Sequence, residues 1–451
     1  MKLPGKVLML TSTWDSEYSN AIIAGIRERI GDDDIQLHIF NAYDDLTESN
    51  FYQKGREIYF LPDPEQYDGL ILAMSTIQSV KYVGDITERF HKYNKPIVAI
   101  DTKADNAIFC GLDNYRSMYQ LVNHMVNIHD CRTFNYLGGP EDNEEDMERF
   151  RAFKECLEAH GIGIEKKRVL HKNFLKTGGR EAYKEWKKWG VNMADAVICA
   201  NDYMALGYVD EAEKDGINVP DYIKVTGFDD IDDARTYSPS ITTVDRNWKQ
   251  LGFDSMDALI EALNGNTEFD TRFVEGYVCY NESCGCDLTR DIRADYINML
   301  RKSKTDMGNM TIHTNLRQIL LSSTTMDDFQ KALKRCIEKL DIDDVAICLN
   351  ETFFEGDVDR EKTGYDDNIS MFSGNGRTDI KRGVPLYPTD WEKEHKILIF
   401  SSLRNNVQTY GYSVIPYKSE FLSRIRHRLF VETMSLSLEK INQRIAIDRS
   451  R

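Results

Sequence analysis

From Lys6 to about Cys286 short apolar runs alternate with stretches of helical period, and that alternation forces parallel strands with helices on both faces. The apolar runs predict strands at Lys6–Leu10, Ile35–Phe40, Gly69–Ala73, Pro96–Ile100, Phe109–Leu112, Thr133–Leu137, Ala196–Ala200 and Lys224–Gly227. The segments between them predict helices, among them Ser19–Ile30, Val80–Tyr93, Tyr115–Ile128, Glu145–His160, Gly179–Trp189 and Tyr203–Lys214. One doubly wound sheet rarely needs so many units, so the pattern predicts an α/β architecture of two doubly wound parallel sheets, one per lobe. Ligands of such sheets collect at the carboxyl ends of the strands, where loops from several strands converge.

Beyond Cys286 the pattern changes. Ile292 to Leu321 reads as a long helix, Met326–Leu340 as another, and Val345–Asn350 and Lys396–Phe400 as strands, which predicts a separate α+β unit. Glu355 to Thr378 is polar and rich in Gly and Asp, and predicts a long mobile loop. In the last segment Leu422, Ile425, Leu429, Met434, Leu438, Ile441 and Ile445 fall on one helical stripe. Such a seam pairs with a second copy of the chain, giving a homodimer, or packs on its own domain; spacing favours neither. The expected division is 1–287, 288–420 and 421–451.

At 451 residues the chain is too long for one core. Its net charge of −17, from 57 Lys and Arg against 74 Asp and Glu, opposes binding to nucleic acid or anionic lipid. The most basic stretch, Arg424 to Arg428 with Arg444, Arg449 and Arg451, fits a solvated helix face better than a phosphate site. Cysteines lie mostly within apolar strands or helices, as small buried hydrophobes do in a reducing compartment. The run Val7 to Leu10 is too short for a signal-peptide core, and no apolar stretch is long enough to span a bilayer. The expected location is the cytoplasm.

The stretch from Asp195 to Asn264 carries the strongest functional signal. A strand ends in Ala200-Asn201-Asp202, and a helix opens with Met204-Ala205-Leu206-Gly207. G-I-x-V-P follows at Gly216–Pro220, V-T-G-F-D-D at Val225–Asp230 and S-P-S-I-T-T-V at Ser238–Val244. Upstream stand Y-D-G-L-I-L at Tyr67–Leu72, P-I-V-A-I-D at Pro96–Asp101, and Y-L-G-G-P at Tyr136–Pro140 followed by E-R-F-R-A-F. In this order the motifs resemble the sensor domain of the LacI/GalR repressors, a two-lobed periplasmic-binding-protein-like fold of type I. The resemblance implies a small-molecule effector, sugar-like in most of the family, and a hinge that closes the lobes around it.

The residues themselves fit that chemistry. A polyol presents hydroxyls that both donate and accept, so its site wants a guanidinium, an amide and a carboxylate converging from different strand ends. Arg149, Asn201 and Asp229 are one of each, and Trp14, Tyr18 and Phe228 offer rings to stack on a sugar face. The family's R-x-x-G-F appears as Arg149 to Phe153 with alanine for glycine, and T-S-T-W-D-S-E-Y departs from its commoner first-strand loop. The plainer readings are Asn201 as a helix cap, Asp229 as a turn residue and Arg149 in a surface salt bridge.

Family repressors carry a helix-turn-helix ahead of the first sensor strand, which starts here at Lys6, so no direct DNA contact is expected of this chain. V-C-Y-N-E-S-C-G-C at Val278–Cys286 resembles the close of the sensor in multidomain signalling proteins. There a GAF-like unit and a helix precede a GGDEF diguanylate cyclase or an AraC-type output, and Arg301 to Tyr417 fits the GAF-like position. The leading expectation is a cytoplasmic sensor of a transcriptional or signalling regulator; the rival is the regulatory region of a diguanylate cyclase. No catalysis, cofactor or metal is expected. Cys284-Gly-Cys286, a C-x-C with no second pair or nearby histidines, is poor evidence for half a metal site, and the acidic runs Glu141–Glu148 and Asp229–Asp233 read as solvated loops.

Overall fold

The computed structural model describes residues 4–12, 17–43, 55–73, 80–101, 103–191, 193–266, 271–287, 292–340, 342–356, 364–374, 376–382, 386–418, 426–449 and 451. Two compact units emerge. Unit 1 comprises Met1–Gly111, Trp248–Arg272 and Lys304–Arg451, and unit 2 comprises Leu112–Asn247 and Phe273–Ser303.

Unit 1 opens with β1 (Pro4–Thr11), α1 (Glu17–Ile30), β2 (Asp34–Asn41), β3 (Gly69–Ala73), α2 (Val80–His91), β4 (Ile97–Ile100) and β5 (Ile108–Leu112). These strands lie in the order β2-β1-β3-β4-β5 and pair in parallel. β3 and β4 are buried along their whole length, which is why they read as unbroken apolar runs.

Unit 2 continues with α3 (Asn114–Asn127), β6 (Phe134–Gly138), α4 (Glu144–Ala159), β7 (Val169–His171), α5 (Lys176–Trp189), β8 (Ala196–Cys199), α6 (Asp202–Lys214), β9 (Lys224–Thr226) and β10 (Thr243–Asp245). Its sheet is parallel throughout, in the order β7-β6-β8-β9. The short, half-exposed β7 leaves no apolar run and was not expected. The chain then supplies α7 (Trp248–Leu263), which packs on α1, and β11 (Arg272–Val274). β12 (Tyr277–Cys279) pairs antiparallel with β10, and α8 (Ile292–Leu321) follows. The two parallel sheets are those the alternation predicts.

Unit 1 also contains α9 (Met326–Leu340), β13 (Ala346–Asn350), β14 (Asn368–Ser373), β15 (Gly376–Lys381), β16 (Ile397–Arg404), β17 (Thr409–Pro416) and α10 (Arg426–Arg449). Where the sequence predicts an independent α+β body, these strands instead extend the first sheet. β16 runs parallel to β2, with Leu37 opposite Ile397 and Phe40 opposite Phe400, and β16-β17-β13-β14-β15 follow antiparallel. Leu8, Leu10, Phe40 and Leu72 share one apolar cluster with Cys348, Leu398, Phe400, Tyr412 and Val414. Burying β2's edge removes a row of unpaired backbone groups that water would otherwise have to satisfy.

Two further expectations change here. The hairpin β14–β15 occupies much of the segment read as a loop, because β15 is almost wholly exposed and so carries the polar sequence R-T-D. The described part of the terminal seam is covered within the chain: Phe430, Val431, Met434, Leu438 and Ile441 are buried as α10 packs on β16 and β17, while Leu422 and Ile425 lie outside the described residues. Arg404 N donates to Ser435 Oγ at 3.2 Å and Asn442 Nδ2 to the Phe353 carbonyl at 2.8 Å. The seam therefore no longer argues for a second copy.

Candidate ligand site in unit 2

α4 starts after the Gly138-Gly139 turn at the end of β6, with Asn143 as its cap: Asn143 Oδ1 accepts from Asp146 N at 2.9 Å. That start turns Arg149 inward, where it is 2% exposed. Its Nε donates to Asn114 Oδ1 and its Nη1 to the Ala200 carbonyl, each at 2.8 Å, and the guanidinium lies 3.9 Å above the Phe228 ring. Nη2 makes no hydrogen bond and stands 3.6 Å from Glu145 Oε1. The surface salt bridge is thus corrected: a guanidinium this deep must be paired and oriented by the fold.

A second arginine completes the arrangement. Arg246, just after β10, pairs with Glu145 and reaches Asp229 Oδ1 at 3.5 Å. Burial opposes ionisation of Glu145, but Arg246 and Arg149 outweigh it and hold the carboxyl below its usual range. At Asp229 burial prevails over the same two arginines and the acid is pushed up. Asp229 also sits at φ 109°, a strained conformation for any residue but glycine, fixed by its N–H donating to the Val244 carbonyl at 3.0 Å. The result is two guanidinium groups, two carboxyls and the Asn114 amide gathered near the carboxyl ends of the unit 2 strands.

Not every expected residue faces a ligand. Phe228 is fully buried and spends a face on Arg149, so it supports the guanidinium instead of offering that face to a sugar. Asn201 caps α6: its Oδ1 accepts from Met204 N at 3.0 Å, and its Nδ2 donates to the Phe174 carbonyl at 2.9 Å. Its plainer reading is therefore realised, with both ends of the amide engaged. Tyr18 lies on α1 of unit 1, edge-on to Trp248 at 5.7 Å between ring centroids. Trp14 lies outside the described residues.

The sequence reading missed Asn114, Glu145 and Arg246. Glu145 and Asp146 lie in a run taken as solvated, yet Asp146 is 1% exposed and accepts from the Tyr136 hydroxyl at 2.8 Å. Next to the site Asp202 is fully buried, accepting from the Thr243 hydroxyl at 2.6 Å and from Ile231 N at 3.0 Å. A Cβ on Gly227 would come within 2.0 Å of Asp202 Oδ1, so the glycine of V-T-G-F-D-D is required by packing. The isolated C-x-C is corrected too: His124 and His129 stand beside Cys284 and Cys286. All nine cysteines are free thiols. Among the described residues no helix is long and apolar enough to cross a membrane.

Residues 122–284 match the family described as periplasmic binding protein-like domain. The chain is 23% identical over 270 residues to the HTH-type transcriptional repressor PurR of Actinobacillus pleuropneumoniae serotype 5b, covering 59% of this chain and 76% of that protein. It is 30% identical over 180 residues to the HTH-type transcriptional regulator MalR of Clostridium butyricum, covering 38% and 52% respectively. Among solved structures, the transcription regulator CcpA of Lactococcus lactis superposes with a TM-score of 0.52 at 18% identity, over 62% of this chain and 99% of that one. The relatives are named HTH-type, so the comparison lends no support to the expectation that the protein stays off DNA. Residues 122–284 are thus similar to a periplasmic-binding-protein-like domain, and the relatives the chain matches are named as transcriptional regulators.

Proposed function

We propose that the protein is a cytoplasmic small-molecule sensor of a transcriptional or signalling regulator, and that unit 2 holds a sugar-like effector with Arg149, Arg246 and Asp229. One observation carries the reading: Arg149 is buried, aimed by Asn114, Ala200 and Phe228, and retains one nitrogen, Nη2, with no hydrogen bond. Preorganised donors beside carboxyl acceptors suit vicinal hydroxyls, which need both. The names of the relatives support the regulatory role, and residues 304–451 would relay the bound state to an output.

A thermal-shift screen of the full chain against sugars, polyols, nucleosides and amino acids tests this. An effector at a hundred times its Kd adds about 2.7 kcal/mol to the folded state and raises the melting temperature. The expected result is a hit that disappears in Arg149→Ala and survives in a variant of the exposed Tyr222. An unchanged shift in Arg149→Ala sinks the reading.

A further inference from the structure

We propose that His124, His129, Cys284 and Cys286 form a structural zinc site. His124 lies in the last turn of α3 and His129 just beyond that helix, whereas Cys284 and Cys286 follow β12. The four ligand atoms all lie within 4.8 Å of one another. His124 Nε2 and His129 Nε2 are 3.0 Å apart. Cys286 Sγ stands 3.4 Å from the first and 3.3 Å from the second, and Cys284 Sγ stands 3.9 Å from His124 Nε2.

Those separations are the edges of a zinc tetrahedron. With Zn–S near 2.3 Å and Zn–N near 2.0–2.1 Å, tetrahedral geometry requires N···N edges of about 3.3 Å and N···S edges of about 3.6 Å. The four named N···N and N···S distances, 3.0, 3.4, 3.3 and 3.9 Å, lie close to these values, and the widest separation in the cluster, 4.8 Å, closes by about 1 Å through side-chain rotation as a metal enters. Gly285 makes the approach possible: at φ 92° it turns the chain back between the two cysteines.

The donor set selects the ion. Two thiolates and two imidazoles in a tetrahedral arrangement suit zinc, and the cluster contains no carboxylate of the kind calcium or magnesium demands. Two thiolates neutralise a divalent ion, so the complex carries no net charge. Binding requires each thiol to give up its proton to solvent, and Cys284 then exchanges its 3.2 Å contact with the Asn281 carbonyl for the metal. Four protein ligands leave no open coordination position, which makes the site structural and not catalytic. Its effect is to staple the segment after β12 to α3.

Metal content of the reduced full chain, measured by mass spectrometry after growth with zinc, is the first readout, with cobalt substitution as the second. About one zinc per chain is expected, falling to background in Cys284→Ser/Cys286→Ser and in His129→Ala. The cobalt form should show intense visible bands of tetrahedral coordination and a thiolate charge-transfer band. His129→Cys, which keeps four ligands, should retain the metal and so separates lost coordination from lost folding. Zinc content equal to that of the double cysteine variant, a pale octahedral cobalt spectrum, or a Cys284–Cys286 disulfide that persists in reductant would each overturn the proposal.

Discussion

Phe40 of β2 and Phe400 of β16 stack face to face, 4.2 Å between centroids and 3° from parallel, across a pair of strands drawn from opposite halves of the chain. Both rings are fully buried. Truncating a buried Phe to Ala costs about 3–5 kcal/mol. Phe400→Ala should therefore lower unit 1 stability by that order in a denaturant melt. A chain ending at residue 303 should aggregate, because the edge of β2 and its apolar face are then bared. A soluble truncated chain that melts like the parent would contradict this account of the sheet.

Arg149 tests whether the site is held by its buried guanidinium. Glu145 keeps Arg246 when Arg149 is removed, but Asn114 and the Ala200 carbonyl lose their buried donor, at about 1–3 kcal/mol for each group left unsatisfied. Arg149→Ala should destabilise unit 2 by an amount near that figure, whereas the exposed Arg151→Ala should stay within about 0.5 kcal/mol. Equal effects in urea titrations would show that Arg149 is not anchored as described.

Asp229 separates stability from function. Its backbone sits where glycine is preferred, and burial raises its acid pKa, so Asp229→Gly relieves strain and removes a buried carboxyl. Relief of strain worth about 1–3 kcal/mol opposes the loss of the contact with Arg246 and the added freedom of the unfolded chain, so the variant should keep its stability while losing the effector-induced thermal shift. Loss of both stability and response would point to a supporting role for the carboxylate.

Gly227 allows no side chain. Because its Cβ would overlap Asp202 Oδ1, Gly227→Ala should cost about 2 kcal/mol or more through displacement of a buried, hydrogen-bonded carboxyl. Hydrogen exchange at Ile231, whose N–H donates to the same carboxyl, is the direct measurement. Unchanged protection there would refute the clash.

His171 gives unit 2 a pH signature. Its hydrogen bond with Asp146, at 3.3 Å, outweighs burial and raises the imidazole pKa, and the Gly139 carbonyl at 3.0 Å adds to this. The stabilisation is fully present below the unfolded value of about 6.5 and is lost as pH rises through the folded one. His171→Gln should lower the melting temperature more at about pH 5.5 than at about pH 8.5. A larger effect on the alkaline side would reverse the assignment.

Local pattern alone determined the α/β character of residues 6–286. Buried parallel strands such as β3 and β4 have to be unbroken apolar runs, and α6 announces its start through Asn201, whose cap needs only neighbours in sequence. Arg149 and Asp229 were legible for the same reason, since each sits at a motif beside a strand end. What the tertiary structure decided was pairing at a distance. Nothing in I-F-N or I-F-S tells β2 to accept β16, because a strand edge is complementary to almost any other edge. Asn114 and Arg246 join Arg149 only when α3 and β10 are placed beside α4, and an acidic run reveals Glu145 as a partner of two arginines only once that neighbourhood exists. His124 and Cys286 are separated by most of unit 2, and the folding of α3 against the segment after β12 makes them neighbours. A sequence specifies donors and acceptors, and the fold chooses which of them meet.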